Sequence, residues 1–342
     1  MNAPATVKLS TAAAITLGLV PGRMHRCAAT RCLNLLLAYP EGCRAACSYC
    51  GLARRAGPAA EDRTFIRVGW PEIGLDDLIG RVAGLGAAGP FERMCISMVG
   101  HPDARADTLA LLRRWTARLG SVIPVSILSN PPGLDRDDIA ALRDAGADIF
   151  TVALDAATPE VFERHRGRAW PVYWRAFEEA AALFGPGRTG MHLICGLGET
   201  DAELLAVVQA VRDRGGRSHL FAFQPEAGSQ LEHAAAVPRG RWRRVQLARY
   251  LIDFCGVRLE ALRFDGTGRL EGYGLSAAEL EPLVAGGVPF RTSGCPGRAR
   301  EDGSACDRPY GDSSPRDIAS YPFPPDGRDL RRIRRQLGAF GP

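Results

Sequence analysis

The sequence predicts an α/β fold in which repeated βα units form a wound parallel sheet or a (β/α) barrel, followed by an irregular C-terminal extension. Six short apolar runs with strand character alternate with segments of helical periodicity, and no internal break separates the units. Successive βα units in one sheet are joined by right-handed crossovers, so their strands run parallel. Beyond Leu275 a short helix is followed by chain rich in Pro, Gly and Arg, and residues 291–327 show no regular period.

Apolar runs bounded by turn residues predict the strands, and a spacing near 3.6 residues predicts the helices. The strands are 33–39, 93–99, 122–128, 149–154, 191–194 and 218–223, with 257–264 as a candidate for a further one. The helices are 75–87, 104–119, a segment after Asp135, a turn near Pro159, 171–184, a segment from Asp201, 238–255 and 276–285. Asp135 is expected to cap its helix, because a carboxylate accepts from the free N–H groups of a first turn.

The composition is that of an ordinary globular protein. The chain has 342 residues, of which 46% are hydrophobic and 24% charged, and this length suits one large domain or one domain with an appendage. The net charge of +5 is mild, and only Lys8 among the 43 basic residues is a lysine. This bias toward arginine, without a basic surface interleaved with aromatic residues, predicts no nucleic-acid partner.

The apolar run at residues 9–20 is too short to cross a bilayer as a helix. It is either the hydrophobic region of a signal peptide or a short helix that Ser10 caps and that ends near Pro21. Ten cysteines would suggest disulfides in a secreted protein. Their clustering instead favours a cytoplasmic protein with no membrane partner.

Three cysteines in the loop after the first predicted strand are the centre of the predicted chemistry. Cys43, Cys47 and Cys50 follow the spacing C-x3-C-x2-C, with Tyr49 immediately before the last of them. Three thiolates can hold three irons of a [4Fe–4S] cluster and leave the fourth iron open to bind a small molecule. The alternative is a zinc knuckle, but zinc usually takes four ligands from paired motifs, and the sequence has no second C-x-x-C.

This motif resembles that of the radical S-adenosylmethionine (radical SAM) superfamily, and the order of motif and strands over about residues 33–225 is similar as well. The resemblance implies a (βα)6 partial barrel or a full TIM-like barrel, with the cluster in the loop after the first strand. It also implies that the open iron binds SAM, whose reductive cleavage releases a 5′-deoxyadenosyl radical.

The resemblance implies SAM-binding roles for residues near strand ends. Tyr49 would contact the adenine, and Ser97 and Gly100 belong to the strand end whose backbone carbonyls hold the methionine amino group. The segments around Asp155 and Ile194 resemble biotin synthase, which implies that Asp155 binds the ribose and Ile194 the adenine. Asp155 fits the N-cap of the helix that follows it equally well.

The other seven cysteines fall into two groups. Three lie in predicted strands or a helix and are expected to be buried and inert: Cys95, Cys195 and Cys255. Four lie outside these elements, two before the first strand and two in the irregular tail: Cys27, Cys32, Cys295 and Cys306. Four thiols are enough for a second cluster if the two end segments meet at one mouth of the barrel. The alternatives are a structural zinc site built from the same thiols or free surface cysteines.

The pair Cys27-x4-Cys32 and the tail Thr-Ser-Gly-Cys295-Pro…Cys306-Asp-Arg-Pro-Tyr resemble the two-component lipoyl synthases, paired radical SAM proteins similar to biotin synthase. The resemblance implies sulfur insertion into an octanoyl chain on a lysine of a lipoyl carrier protein. Hydrogen would be abstracted from C6 or C8, and an auxiliary [4Fe–4S] cluster would donate the sulfur. The implied partners are the octanoylated carrier, an electron donor such as ferredoxin or flavodoxin, and a companion radical SAM protein.

The predicted organisation has three parts: an N-terminal extension, 1–32, with candidate auxiliary-cluster cysteines, a radical SAM barrel core, 33–270, and a C-terminal extension, 271–342, that covers the barrel mouth. Arginines of the tail form a solvated face or a docking surface for an acidic carrier: Arg298, Arg300, Arg316, Arg328, Arg331, Arg332, Arg334 and Arg335. Two other functions stay open. One is a biotin-synthase-like sulfurtransferase or mutase that acts on a small molecule, and the other is a non-enzymatic iron–sulfur or zinc scaffold.

Overall fold

One eight-stranded sheet is the frame of the protein. The computed structural model describes residues 3–37, 39–54, 64–86, 88–298 and 304–338. Within them the strands are β1 (Thr6–Leu9), β2 (Cys32–Leu36), β3 (Glu72–Gly74), β4 (Arg93–Ser97), β5 (Val125–Ser129), β6 (Ala147–Asp155), β7 (Thr189–Cys195), β8 (Arg217–Ala222), β9 (Arg263–Phe264) and β10 (Leu270–Gly272). The helices are α1 (Thr11–Thr16), α2 (Leu75–Leu85), α3 (Ala104–Leu119), α4 (Arg136–Asp144), α5 (Pro159–Arg166), α6 (Trp170–Phe184), α7 (Asp201–Asp213), α8 (Arg239–Cys255), α9 (Ala277–Gly286) and α10 (Gly327–Leu337).

Six strands of the sheet are parallel and form the predicted repeat of βα units. The strand order is β3-β1-β2-β4-β5-β6-β7-β8, and each neighbouring pair from β2 to β8 is parallel. β1 and β3 extend the sheet beyond β2 in antiparallel orientation. Since β8 forms the other edge, the sheet is open. The predicted α/β fold is therefore confirmed in its form of a partial (βα)6 TIM-like barrel.

Most predicted elements agree with the structure to within a few residues. Helix α3 has the predicted bounds, and Asp135 caps α4 with a full capping box. The apolar run near the N-terminus contains α1, which Ser10 caps as predicted. The strand considered at 257–264 is wrong for most of its length, because Leu259–Ala261 form a 3₁₀ turn and only Arg263–Phe264 form a strand, in a separate hairpin with β10.

The parallel strands are largely buried, because helices pack on their outer face and the chain encloses a cavity on their inner face. Every residue of β2 and β4 is buried, as expected for strands of a parallel sheet. Arg93 begins β4 and is also buried, so its charge needs a partner. Its guanidinium donates to the two carboxylate oxygens of Asp148, at 2.6 and 3.0 Å. This ion pair lies at the N-terminal end of the sheet.

The C-terminal extension passes between β8 and the start of β2. The Leu220 amide of β8 donates to the Ser293 hydroxyl at 2.7 Å. The Thr30 hydroxyl, just before β2, donates to the Asp307 carboxylate at 3.1 Å. The two end segments of the described chain therefore meet at the open side of the sheet. None of the helices given above is long and apolar enough to cross a membrane.

Candidate functional site

A cavity of about 430 Å³ lies inside the partial barrel. Its wall includes Ser97 at the end of β4, Asp155 at the end of β6 and Ile194 near the end of β7. These are the C-terminal ends of parallel strands, where β/α barrels carry their chemistry. Tyr49 and Gly100 also line the cavity. The structure therefore brings all five residues predicted for cofactor binding to one place.

The three-cysteine loop lies against the same cavity. Cys43, Cys47 and Cys50 all line it, and each is a free thiol. The Gly100 amide donates to the Cys43 sulfur at 3.3 Å, and the Leu52 amide donates to the Cys50 sulfur at 3.4 Å. Hydrogen bonds to cysteine sulfur are among the contacts that surround iron–sulfur clusters, so these contacts fit metal-ligating cysteines.

Burial shapes the chemistry of this first thiol group, which consists of Cys43, Cys47 and Cys50. It raises the pKa of Cys47 and of Cys50. A buried thiol keeps its proton at neutral pH unless a metal cation takes the proton's place. Gly100 lets the loop approach the strand end, because a Cβ there would lie 3.1 Å from the Ala45 amide nitrogen. The donor set therefore fits a thiophilic metal centre at the end of β4.

A buried polar network beside the loop joins Tyr49, Asp155 and Arg166. The Tyr49 hydroxyl donates to the Asp155 carboxylate at 2.5 Å, and the Arg166 guanidinium donates to the Tyr49 hydroxyl at 2.6 Å. Arg166 also forms a salt bridge with Asp155, and the two side chains are only 6% and 12% exposed. Asp155 has φ of 64°, a left-handed conformation that is uncommon outside glycine. Such backbone strain is concentrated at binding and active sites.

The interpretation of Asp155 as a helix cap is wrong. Thr158 is the N-cap of α5, and its hydroxyl accepts from the Val161 amide at 3.2 Å. The Asp155 carboxylate instead faces Tyr49 and Arg166. Arg166 was not among the predicted site residues, because the run Arg164-His165-Arg166 at the end of α5 has the pattern of an exposed basic helix end.

A second thiol group lies deeper in the barrel. Cys32 at the start of β2, Cys95 in the middle of β4 and Cys306 in the C-terminal extension are buried and in contact. The Asn34 side-chain amide donates to the sulfurs of Cys32 and Cys306, at 3.4 and 3.5 Å. Cys295 lies beside them, since its carbonyl accepts from the Cys306 amide at 3.3 Å. Cys95, Cys295 and Cys306 line the same cavity as the first thiol group.

The structure brings together three of the four cysteines that were predicted for an auxiliary cluster, and it places Cys27 elsewhere. Cys27 is exposed in a surface turn, and its sulfur accepts from the Arg23 guanidinium at 3.1 Å. Cys95, which was expected to be inert, contacts the group instead. Cys195 is buried as expected, but the expectation is wrong for Cys255, which is exposed at the last turn of α8.

The arrangement of both thiol groups bears on the zinc alternative. In the part of the chain that the structure describes, no three His, Cys, Asp or Glu side chains converge as they would around a single metal ion. A tetrahedral zinc site draws all its thiolates onto one ion. A [4Fe–4S] cluster binds each thiolate on a different iron and therefore spaces its ligands more widely. Among the described residues, neither thiol group is therefore preformed as a tetrahedral zinc site.

Ionisable groups in the barrel interior have strongly shifted pKa values. Burial raises the pKa of Cys295 to about 11. Burial also raises the pKa of Cys32. The hydrogen bond between Cys32 and Cys306 lowers the pKa of Cys306 to about 6. His192 and His219, on neighbouring strands, have ring centroids 5.3 Å apart. Burial lowers the pKa of both, that of His219 to about 3, so both rings are neutral at physiological pH.

Comparison with known families agrees with this geometry. A family model described as the radical SAM superfamily matches residues 38–211, slightly more than half of the chain. The match includes the three-cysteine loop and the strands that carry Ser97, Asp155 and Ile194. The chain therefore belongs to the radical SAM superfamily, whose enzymes use a [4Fe–4S] cluster and SAM. No curated protein matches the sequence.

Several solved structures are similar to this one at low sequence identity. HydG, a maturase of the [FeFe]-hydrogenase, has a TM-score of 0.51 and 12% identity over 65% of this chain and 49% of HydG. Methylornithine synthase, PylB, has a TM-score of 0.46 and 17% identity over 60% of this chain and 57% of that protein. TYW1 with a lysine–pyruvate adduct bound has a TM-score of 0.42 and 13% identity over 79% of this chain and 91% of TYW1. This chain thus spans about half of the first two proteins, and the likeness to HydG shows the fold alone.

Proposed function

We propose that this radical SAM enzyme inserts sulfur, as a lipoyl synthase component whose substrate is an octanoyl chain amide-linked to a lysine of a lipoyl carrier protein. Cys43, Cys47 and Cys50 would hold the cluster that binds SAM, and together these cofactors would supply the 5′-deoxyadenosyl radical for hydrogen abstraction from C6 or C8. An auxiliary [4Fe–4S] cluster would supply the sulfur. The observation that carries the proposal is that one cavity reaches both thiol groups.

The walls of the cavity suit a hydrocarbon substrate. They include Leu36, Phe65, Val68, Met98 and Phe221. Burial of one methylene contributes about 0.8 kcal/mol, so an eight-carbon chain gains roughly 6 kcal/mol before the entropy of binding is subtracted. An alkyl chain offers no polar group along its length, so apolar walls are the means of positioning it. The same walls exclude water from a reactive intermediate.

Side chains at the strand ends are suited to orient SAM. The Asp155 carboxylate accepts from Tyr49 and Arg166, and its remaining lone pairs can accept from the ribose hydroxyls. Tyr49 and Ile194 also line the cavity, and both side chains would contact the adenine. Ser97 ends β4, whose last carbonyl groups can accept from an ammonium group. Such fixed placement brings the reacting atoms together without further loss of entropy.

The carrier would dock on arginines of the C-terminal extension. Arg332 pairs with Asp317, and Arg334 pairs with Glu281. Arg328, Arg331 and Arg335 of α10 and Arg316 are exposed. Arg298 donates to the Val122 carbonyl at 3.0 Å, and Arg300 lies outside the described residues. Exposed guanidinium groups on one helix can attract an acidic carrier over a distance of about 10 Å at 0.1 M salt.

The test is turnover of an octanoyl-lysine peptide by the reconstituted protein, with flavodoxin or ferredoxin as electron donor. We expect 5′-deoxyadenosine together with a monothiolated octanoyl product. The variant Cys43→Ala/Cys47→Ala/Cys50→Ala should form neither product, because it lacks the ligands of the SAM-binding cluster. The matched control is Cys255→Ala, which removes an exposed thiol outside both thiol groups and should form both products.

Three outcomes would contradict parts of this proposal. Deoxyadenosine formation by the triple variant would remove the assignment of the first thiol group. Deoxyadenosine without any thiolated octanoyl product would remove the lipoyl function and favour sulfur insertion or rearrangement on a small molecule. Formation of both carbon–sulfur bonds by this chain alone would refute the need for a companion radical SAM protein.

A further inference from the structure

Cys95 faces the same side of the sheet as Cys32 and Asn34. Side chains alternate along a strand, so Cys32 and Asn34 share a face of β2. Asn34 pairs with Cys95 in the register of β2 and β4, and paired residues of neighbouring strands project to the same face, about 4.8 Å apart. Ser97 shares that face two residues further along, about 7 Å closer to the strand ends. Cys95 therefore lies inside the barrel, between the start of β2 and the SAM end of the cavity.

The C-terminal extension brings two more thiols to this face. The Cys306 amide donates to the Cys295 carbonyl at 3.3 Å, next to an isolated antiparallel bridge between Pro296 and Ser304. Cys295 and Cys306 are thereby held as neighbours although ten residues separate them in the sequence. The Asn34 amide, which also contacts the Cys32 sulfur, fixes Cys306 against β2.

The surroundings of these thiols offer positive charge and an unused donor. Arg308 donates to the Ser293 carbonyl at 2.8 Å through one nitrogen. Its other terminal nitrogen, Nη1, is buried and makes no hydrogen bond to any described residue. Arg308 lines the cavity together with Cys306, and the buried Arg93 begins β4 two residues before Cys95. A buried anionic group with sulfide acceptors would satisfy this donor and be stabilised by both charges.

We infer that Cys32, Cys95, Cys295 and Cys306 are the four protein ligands of the auxiliary [4Fe–4S] cluster, and that Cys27 is not a ligand. All four thiols are buried and Cys27 is exposed. Four thiolates coordinate all four irons of a [4Fe–4S] cluster, whereas three thiolates, as in the first thiol group, leave one iron open. The inference deepens the proposed function, since it names the thiols that would hold its sulfur source, but the ligand set itself rests on the geometry of the thiols.

The test measures iron and acid-labile sulfide in anaerobically reconstituted protein that carries Cys43→Ala/Cys47→Ala/Cys50→Ala. This background removes the SAM-binding site, so about four irons per chain are expected from the auxiliary site alone. Adding Cys95→Ala should abolish this iron. Adding Cys27→Ala should leave it unchanged, as should the matched control Cys255→Ala. In a chain with the first thiol group intact, Cys95→Ala should keep about four irons and continue to form deoxyadenosine, which shows that the variant folds.

A second measurement covers the case in which Cys95→Ala does not fold. The nearly isosteric Cys95→Ser variant should change the electron paramagnetic resonance spectrum of the reduced auxiliary cluster, whereas Cys27→Ser should not. Loss of iron with Cys27→Ala but not with Cys95→Ala would overturn the ligand set, as would bound zinc in place of iron. Iron content does not depend on the substrate, so the ligand set and the octanoyl reaction can fail independently.

Discussion

Replacement of Asp155 by Asn should destabilise the protein, because it leaves the Arg166 guanidinium buried without its counter-charge. The Arg166 and Asp155 side chains are only 6% and 12% exposed. Removal of one partner of a buried ion pair costs about 3–5 kcal/mol, and Asn keeps an acceptor for Tyr49, so the lower figure applies. Unfolding of the 342-residue chain has an entropy of about 0.7 kcal/mol/K at roughly 2.1 cal/mol/K per residue. The expected fall in Tm is therefore about 4 °C.

The assay is calorimetric or fluorescence-detected thermal unfolding of the reconstituted protein, together with SAM binding by isothermal titration. The matched control is Asp76→Asn, which breaks the exposed pair of Asp76 and Arg114 and should cost less than about 1 kcal/mol. The double variant Asp155→Asn/Arg166→Met should recover part of the stability, because no unpaired charge remains. Equal shifts for Asp155→Asn and Asp76→Asn, or no recovery in the double variant, would refute the reasoning.

Two further predictions concern pH and salt. His219, whose pKa burial lowers to about 3, stays neutral in the folded protein, whereas the unfolded chain takes up a proton below about pH 6.5. The free energy of unfolding should therefore fall as the pH decreases below that value, by up to about 1.4 kcal/mol per pH unit from this group. Urea unfolding at several pH values should show a shallower fall for His219→Gln. An unchanged dependence of the unfolding free energy on pH would contradict this. Alanine at three exposed arginines of α10 should weaken binding of an octanoylated carrier by roughly tenfold at low ionic strength and have little effect at about 1 M salt, as measured by titration calorimetry. The three α10 residues are Arg328, Arg331 and Arg335, and the control replaces the exposed Arg113 and Arg118 of α3 by alanine. An equal loss of binding in the control would show that α10 is not the docking surface.

Features that depend on short stretches of chain could be predicted from the sequence. The alternation of apolar runs and helical spacing gave the order of βα units, because each unit is formed by local periodicity. The first thiol group could be identified because its three cysteines lie within eight residues of one another. The sequence also predicted that the strand ends with Ser97, Asp155 and Ile194 lie close together, because the carboxyl ends of parallel strands meet at one edge of a sheet.

Contacts between distant parts of the chain could not be predicted in the same way. Cys27 was assigned to a cluster because it is near Cys32 in the sequence, but a turn at the surface directs it away from the barrel. Cys95 had a usable signal. It lies two residues before Ser97 in the same strand, so the two side chains face the same side of the sheet, and Ser97 was predicted at the SAM-binding strand end. Arg166 had no such signal, because its burial depends on the loop that carries Tyr49.

Because the C-terminal extension packs between β8 and β2, its contacts with β2 can form only late in protein synthesis. Asn34 and Cys306, which the structure joins by a hydrogen bond, are 272 residues apart. At roughly 5–20 residues per second, a ribosome takes about 14–55 s to add the intervening chain. Closing a loop of that length also carries an entropic cost that grows with the logarithm of its length, about 5 kcal/mol by simple polymer scaling. If the inferred ligand set is right, iron delivered to a nascent chain during that interval would meet Cys32 and Cys95 without Cys295 and Cys306, and the cluster would form only after the tail arrives.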